Sequence, residues 1–133
     1  MAARDLAGLD GLGLNQPSAI EEVRAAFVRY EQALVGDDVD ALTASFLADE
    51  RIVRFGIADR QRGARELARW RAAQPPLPAG RTLSETEITT FGSRFAVVST
   101  LFTYPGRATV GRQSQAWVRA DRWLIVHAHV SEV

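Results

Sequence analysis

A run of prolines, Pro75-Pro76-Leu77-Pro78, divides this chain into two halves with different hydrophobic periods. Before it, Ile20, Val23, Phe27, Tyr30 and Leu34 recur at three- and four-residue steps, the spacing of an amphipathic helix with Tyr30 on its buried stripe. After it, Thr82 to Phe91, Phe95 to Tyr104, Thr109 to Arg119 and Trp123 to Val130 read as strands, separated by turn signals at Gly92-Ser93, Pro105-Gly106 and Ala120-Asp121. Proline fixes φ and removes a backbone donor, so the helical pattern stops at that run. Helices first and an antiparallel meander afterwards predict an α+β domain whose curved sheet wraps around the long N-terminal helix. Such a cone has an open mouth, and concave, preformed, largely apolar spaces are favoured ligand sites.

Several local signals fill in this outline. Asn15-Gln16-Pro17 supplies a capping side chain and an early proline for the long helix, with Glu21 and Glu22 adding favourable charge near its first turns. Gly36-Asp37-Asp38 stops it, and Val39, Leu42 and Phe46 mark a short second helix with an acidic start. Arg51 to Gly56 reads as a strand with Ile52 and Arg54 on one face and Val53 and Phe55 on the other. Gly63 to Ala73 returns to helical spacing through Leu67 and Trp70. Met1 to Leu14 reads as a flexible arm whose Leu6, Leu9, Leu12 and Leu14 can pack on a partner subunit, leaving one domain over 15–133.

Composition excludes several function classes. The formal net charge of zero gives no long-range attraction for nucleic acid or anionic membranes. Every basic residue is arginine, and the chain has no cysteine, so disulfides, thiolate metal sites and a cysteine nucleophile are ruled out. No apolar run reaches the roughly 18–20 residues that span a bilayer. The opening residues lack the pattern of a signal peptide, and the expected location is the cytoplasm. His127 and His129 without a third ligand nearby fall short of a zinc set, and Gly8, Gly11 and Gly13 are not framed as a phosphate loop. The expected metal and cofactor complement is none.

The segment Gly111-Arg112-Gln113-Ser114-Gln115-Ala116-Trp117-Val118 places an arginine inside an apparent core strand. A buried guanidinium costs several kcal/mol, roughly, unless something anionic or hydrogen-bonding meets it, so Arg112 points to an anionic ligand. Alternation puts Gln113 and Gln115 on one face with Trp117, and Arg112, Ser114, Ala116 and Val118 on the other, one face for the cone and one for a partner subunit. On the same alternation His127 and His129 share a face with Trp123 and Ile125, which favours core or subunit contact over catalysis.

Read with Phe27-Val28-Arg29-Tyr30-Glu31, Arg51-Ile52-Val53-Arg54-Phe55-Gly56 and the closing His129-Val130-Ser131, that segment resembles the AtzH-like family of the nuclear-transport-factor-2-like superfamily, which includes the SnoaL-like cyclases and ketosteroid isomerases. The resemblance covers roughly 15–133 and implies the cone-shaped fold of that superfamily. It also implies kinship with a decarboxylating amidohydrolase that converts a dicarboxylated urea to allophanate, and with proteins that accompany amidases in ureide catabolism. The catalytic pair it implies is a tyrosine on the first helix and an arginine on the first strand, which match Tyr30 and Arg54. Phe27, Trp70, Arg112, Ser114 and His129 complete the expected substrate contacts in one small pocket. The chain departs from the pattern in Ala116, where a hydroxyl residue is common, in an arginine-rich third helix with Arg65, Arg69 and Arg71, and in its extended amino terminus.

The chemistry of the pair stands on its own. A guanidinium forks bidentately onto a carboxylate, and a phenol donates to a polarised carbonyl or a leaving nitrogen. Each residue also has a structural alternative: Tyr30 as a packed helix tyrosine, Arg54 as the ion-pair partner of Glu31, Asp49 or Glu50, Arg112 as a dimer-edge residue. Three functions follow as expectations. One is an amidohydrolase or decarboxylase acting on a small anionic carboxylated urea. Another is a non-catalytic accessory or ligand-binding subunit of an amidase. The third is an isomerase or cyclase of an apolar ligand, which needs a pocket carboxylate such as Asp38, Asp40 or Asp49 as base. Pairing through the sheets, as is usual in that superfamily, implies a homodimer.

Overall fold

The computed structural model describes residues 11–133; Leu6 and Leu9 of the expected arm lie outside the described residues. The elements follow in the order α1 (Pro17–Val35), α2 (Val39–Ala44), β1 (Val53–Phe55), β2 (Arg60–Arg62), α3 (Ala64–Ala72), β3 (Thr82–Phe91), β4 (Phe95–Thr103), β5 (Gly111–Arg119) and β6 (Trp123–Glu132). The strands form one six-stranded sheet in the order β2-β1-β6-β5-β4-β3. Its pairs are antiparallel except β1 with β6, which run parallel with Arg54 opposite Ala128.

The expected helix-in-sheet architecture is present. Val23, Phe27, Tyr30 and Leu34 of α1 are buried against Ala96, Val98, Trp117, Ile125 and Ala128 of the sheet. Apolar burial of this kind contributes about 25 cal/mol per Å² removed from water, and the helix stripe and sheet face form the core together with Leu42, Phe46, Ile52 and Leu67. Among the described residues no helix is long and apolar enough to cross a membrane.

The start of α1 departs from expectation. Pro17 occupies its first turn, but Gln16 stands at the N-cap position and no side chain caps the helix. Asn15 instead sits at φ 55°, donates its N–H to the Thr90 carbonyl at 2.9 Å and accepts from the Thr90 N–H at 3.0 Å through Oδ1. Leu14 bridges Phe91, so the last residues of the segment read as an arm are tied to the end of β3. Glu22 is likewise used elsewhere: its Oε1 accepts from Arg119 Nε at 3.1 Å and Trp123 Nε1 at 3.2 Å. Asp38 does cap α2, its Oδ1 accepting from the Ala41 N–H at 3.1 Å.

Two irregularities set which side chains face the cone. In β3 the register shifts between Ser84 and Glu87, with Glu85 at φ 52°. In β6 the register with β5 slips between the pairs Ala116↔His127 and Trp117↔Ile125. An extra residue in one strand reverses the alternation beyond it. Trp123 and Ile125 are therefore buried in the core while His127 and His129 are exposed on the outer face. The expected common face of those four residues is corrected by this bulge.

Gly111 lies opposite Phe102 in the β4–β5 ladder, and a Cβ there would overlap the Phe102 ring. Gly111→Ala is expected to destabilise the fold by about 1–3 kcal/mol through overpacking, read as a lower midpoint in chemical denaturation. An unchanged midpoint would mean that the Phe102 ring is free to give way.

Candidate functional site

The mouth of the cone holds a cavity of about 420 Å³ whose lining includes Tyr30, Arg54, Trp70, Arg71, Arg81 and Gln113. Pro75, Pro76, Leu77 and Pro78 form part of one wall. Fixed φ angles and missing donors make that wall stiff without a hydrogen-bond ladder. The sequence thus uses the break between its two halves to frame the cavity.

Tyr30 reaches the cavity from α1. The residue is 4% exposed, and its ring packs edge-on against Phe46 and Trp117, at centroid distances of 6.3 and 6.4 Å. Its hydroxyl makes no hydrogen bond to another described residue. Burial pushes the Tyr30 hydroxyl pKa up, and the nearby Arg71 and Arg54 guanidinium groups offset this only in part. The phenol is therefore protonated, unpartnered and placed to donate.

Arg54 comes from β1, with a side chain 10% exposed. Its Nη1 donates to Asp59 Oδ1 and to Gln61 Oε1, both at 2.9 Å. Gln61 Nε2 in turn donates to Asp59 Oδ1 at 2.9 Å. Gly56 makes room for the folded-back Asp59 side chain, which a Cβ at that position would strike. Guanidinium carries five donors in a planar fork, and Nε and Nη2 of Arg54 remain without partners among the described residues. The group also lies 4.2 Å above the centroid of Trp70.

The ion pair of Arg54 is not one of the three expected. Glu31 is taken by Arg81, Asp49 by Arg51 and Glu50 by Arg65. Asp59 supplies the counter-charge instead, five residues on, because the turn after β1 folds it back over the strand.

A second polar cluster forms the floor. Arg81 Nε donates to Glu31 Oε2 at 3.0 Å, its Nη2 to Gln113 Oε1 at 3.1 Å, and its Nη1 to the Tyr104 hydroxyl at 3.3 Å. Gln113 Nε2 donates to Glu31 Oε1 at 3.0 Å, closing the network. Burial acts to lower the Arg81 pKa, but the Glu31 carboxylate and the hydrogen bonds that Arg81 donates to Glu31 and Tyr104 outweigh it and hold the group above its ordinary range. Arg81 also stacks at 4.2 Å on Phe102.

The residues expected in one pocket therefore divide. Tyr30, Arg54 and Trp70 meet at the cavity. Phe27 is buried in the core and borders a different, apolar groove between α1 and β3. Arg112, Ser114 and His129 are exposed on the opposite side of the sheet, around a separate depression of about 390 Å³. Arg112 is not the buried cation that its strand position suggests, because the strand's outer face is open. Asp59, Gln61, Arg71 and Arg81 escaped sequence reasoning as site residues, although Gln113 was already legible as an inward-facing side chain by its phase with Trp117. No group of three or more His, Cys, Asp or Glu side chains that could hold a metal ion occurs among the described residues.

The chain is similar to a cystatin-like fold protein from Burkholderia xenovorans, with 46% identity, a TM-score of 0.87 and coverage of 90% of this chain and 95% of the other. A protein of unknown function from Pectobacterium atrosepticum matches at 44% identity and a TM-score of 0.88, over 90% and 94% of the two chains. An NTF2-like protein from Pseudomonas putida matches at 18% identity and a TM-score of 0.75 over 87% of each chain, a likeness of fold alone. A comparison with curated proteins finds no match. The model of the AtzH-like family matches residues 12–133, nearly the whole described chain, and this chain therefore belongs to the AtzH-like family.

Proposed function

We propose that this protein is an enzyme of nitrogen-compound breakdown that acts on a small carboxylated urea as a decarboxylating amidohydrolase. The observation that carries the reading is the meeting of the unpartnered Tyr30 hydroxyl and the open Nε/Nη2 fork of Arg54 at one cavity. Arg54 donates to an oxygen of the reacting carboxyl group, and Trp70 supports its guanidinium at 4.2 Å. In the decarboxylation of an N-carboxylate, the bond between nitrogen and the carboxylate carbon breaks, the electron pair stays on nitrogen and carbon dioxide leaves. The nitrogen takes a proton from the Tyr30 phenol, which solvent then restores, so the net reaction consumes one proton. A donor positioned at the leaving nitrogen contributes about 10²–10⁴-fold in such steps.

An isomerase of an apolar ligand fits less well. Asp38 and Asp40 are exposed on and beside α2, and Asp49 is held by Arg51, so none of the three expected bases lines the cavity. Two other carboxylates line it: Asp59 is occupied by Arg54 and Gln61, and Glu132, at the end of β6, is the one an isomerase would have to use.

A thermal-shift screen of ureido-carboxylates, simple carboxylates and apolar ketones tests the class. A ligand at about 100 times its Kd stabilises the native state by about 2.7 kcal/mol, a rise of roughly 5–10 °C for a domain of this size. Ureido-carboxylates are expected to give that rise and carbon dioxide release. A rise with ketones alone would move the reading to isomerase chemistry. Stabilisation by an amidase partner without any small-molecule response would move it to an accessory subunit.

A further inference from the structure

Charge balance around the cavity is uneven. Arg54 is neutralised by Asp59 and Arg81 by Glu31. Two further arginines, Arg71 and Arg107, and one further carboxylate, Glu132, line the space, and neither arginine has a carboxylate within ion-pair distance among the described residues. They differ in exposure. Arg107 is exposed at the rim, 5.4 Å above Tyr104, where water serves it. Arg71 is half-buried in the last turn of α3, its guanidinium 4.6 Å from the centroid of Trp70, the same indole that carries Arg54.

Two guanidinium groups lie against one ring, and only Arg54 has a carboxylate in direct contact, so the Arg71 charge is met by carboxylates only at longer range in a partly dehydrated space. Cation–π contact offsets part of this, but a ring quadrupole does not neutralise a whole charge. Burial first, and repulsion from Arg54 after it, pull the Arg71 pKa below its ordinary value, against the opposing action of Tyr30, Asp59 and Asp37. Guanidinium remains charged under all working conditions, so an anion entering the cavity relieves the imbalance.

We infer that Arg71, on the third helix, is the residue that selects an anionic ligand for this cavity, receiving its carboxylate, whereas the already neutralised Arg54 serves the reacting group mainly as a hydrogen-bond donor. This deepens the proposed function and rests on it. The division of labour follows from which arginine already has a carboxylate.

Calorimetric titration of the full chain with ureidoacetate and its neutral amide, ureidoacetamide, separates the two ideas. The wild-type protein is expected to bind the acid more tightly than the amide. Arg71→Met is expected to weaken the acid about tenfold or more, the scale of a lost hydrogen bond to a charged group, and to change the amide little, so that the acid-to-amide ratio falls toward one. Arg71→Lys retains most of the ratio, and Arg107→Gln leaves it unchanged. Because Arg71 has no ion-pair partner to orphan, Arg71→Met should keep the wild-type denaturation midpoint; if it does not fold, Arg71→Gln repeats the measurement. A ratio unchanged in Arg71→Met but lost in Arg54→Met overturns the inference and leaves the proposed function standing. A wild-type protein that binds neither compound, or prefers the amide, overturns both.

Discussion

Tyr30→Phe is expected to lower kcat on a carboxylated urea by about 10²-fold or more while changing KM only a few-fold. The phenyl ring keeps the edge-on contacts with Phe46 and Trp117 that hold the side chain in place, so binding geometry survives. Stability also survives, because the hydroxyl makes no hydrogen bond to another described residue. The variant thus removes one proton donor and little else, which is what makes a kcat loss interpretable. Burial holds the phenol above its ordinary value of 10.0, so the donor form persists across the neutral range. Turnover should show no basic limb from this group below that value. A kcat within a few-fold of wild type would remove Tyr30 from the proton path and leave it as a packing residue.

The largest stability effect is expected at the floor of the cavity. Arg81→Met strips the guanidinium from Glu31, Gln113 and Tyr104 together and leaves the Glu31 carboxylate in a site where its side chain is 11% exposed. Breaking a buried pair from one side costs about 3–5 kcal/mol, whereas replacing both partners by apolar groups of similar volume is often close to neutral. The double variant Glu31→Leu/Arg81→Met should therefore be markedly more stable than Arg81→Met alone. Urea denaturation midpoints at unchanged slope measure the difference. If the single variant lost less than about 1 kcal/mol, the pair would rank with surface ion pairs and its place in the floor would be incidental.

Elements with a strong period were legible in the chain, and those made by tertiary contact were not. The stripe Val23, Phe27, Tyr30, Leu34 and the four long strands emerge because burial repeats at 3.6 or 2 residues. β2 did not emerge: Arg60, Gln61 and Arg62 carry no apolar alternation, and only pairing with β1 makes them a strand. The parallel pairing of β1 with β6 joins segments far apart in sequence and leaves no local trace. The β6 bulge is a single-residue slip that inverts the faces of His127 and His129, and alternation counted from Trp123 cannot detect it. At the site, the Tyr30 and Arg54 pair came from motif resemblance, and their phases were consistent with burial. Asp59 and Arg81 lie in turn or loop-like stretches with no periodic signal, where only the folded chain shows what they touch.

The sheet described above is open at both ends, and its two outermost strands are treated differently. An unpaired strand offers a row of free N–H and C=O groups on which another molecule can add. β2 limits this by being three residues long with arginines at both ends. β3 has ten residues and cannot be protected by brevity. Its Ser84/Glu87 register break and the charged Glu85 and Glu87 interrupt the first part of that row, and the Leu14 and Asn15 contacts close the last part at Phe91 and Thr90. A small irregularity and a few residues ahead of the first helix thus give this molecule resistance to edge-to-edge aggregation, independent of anything the cavity binds.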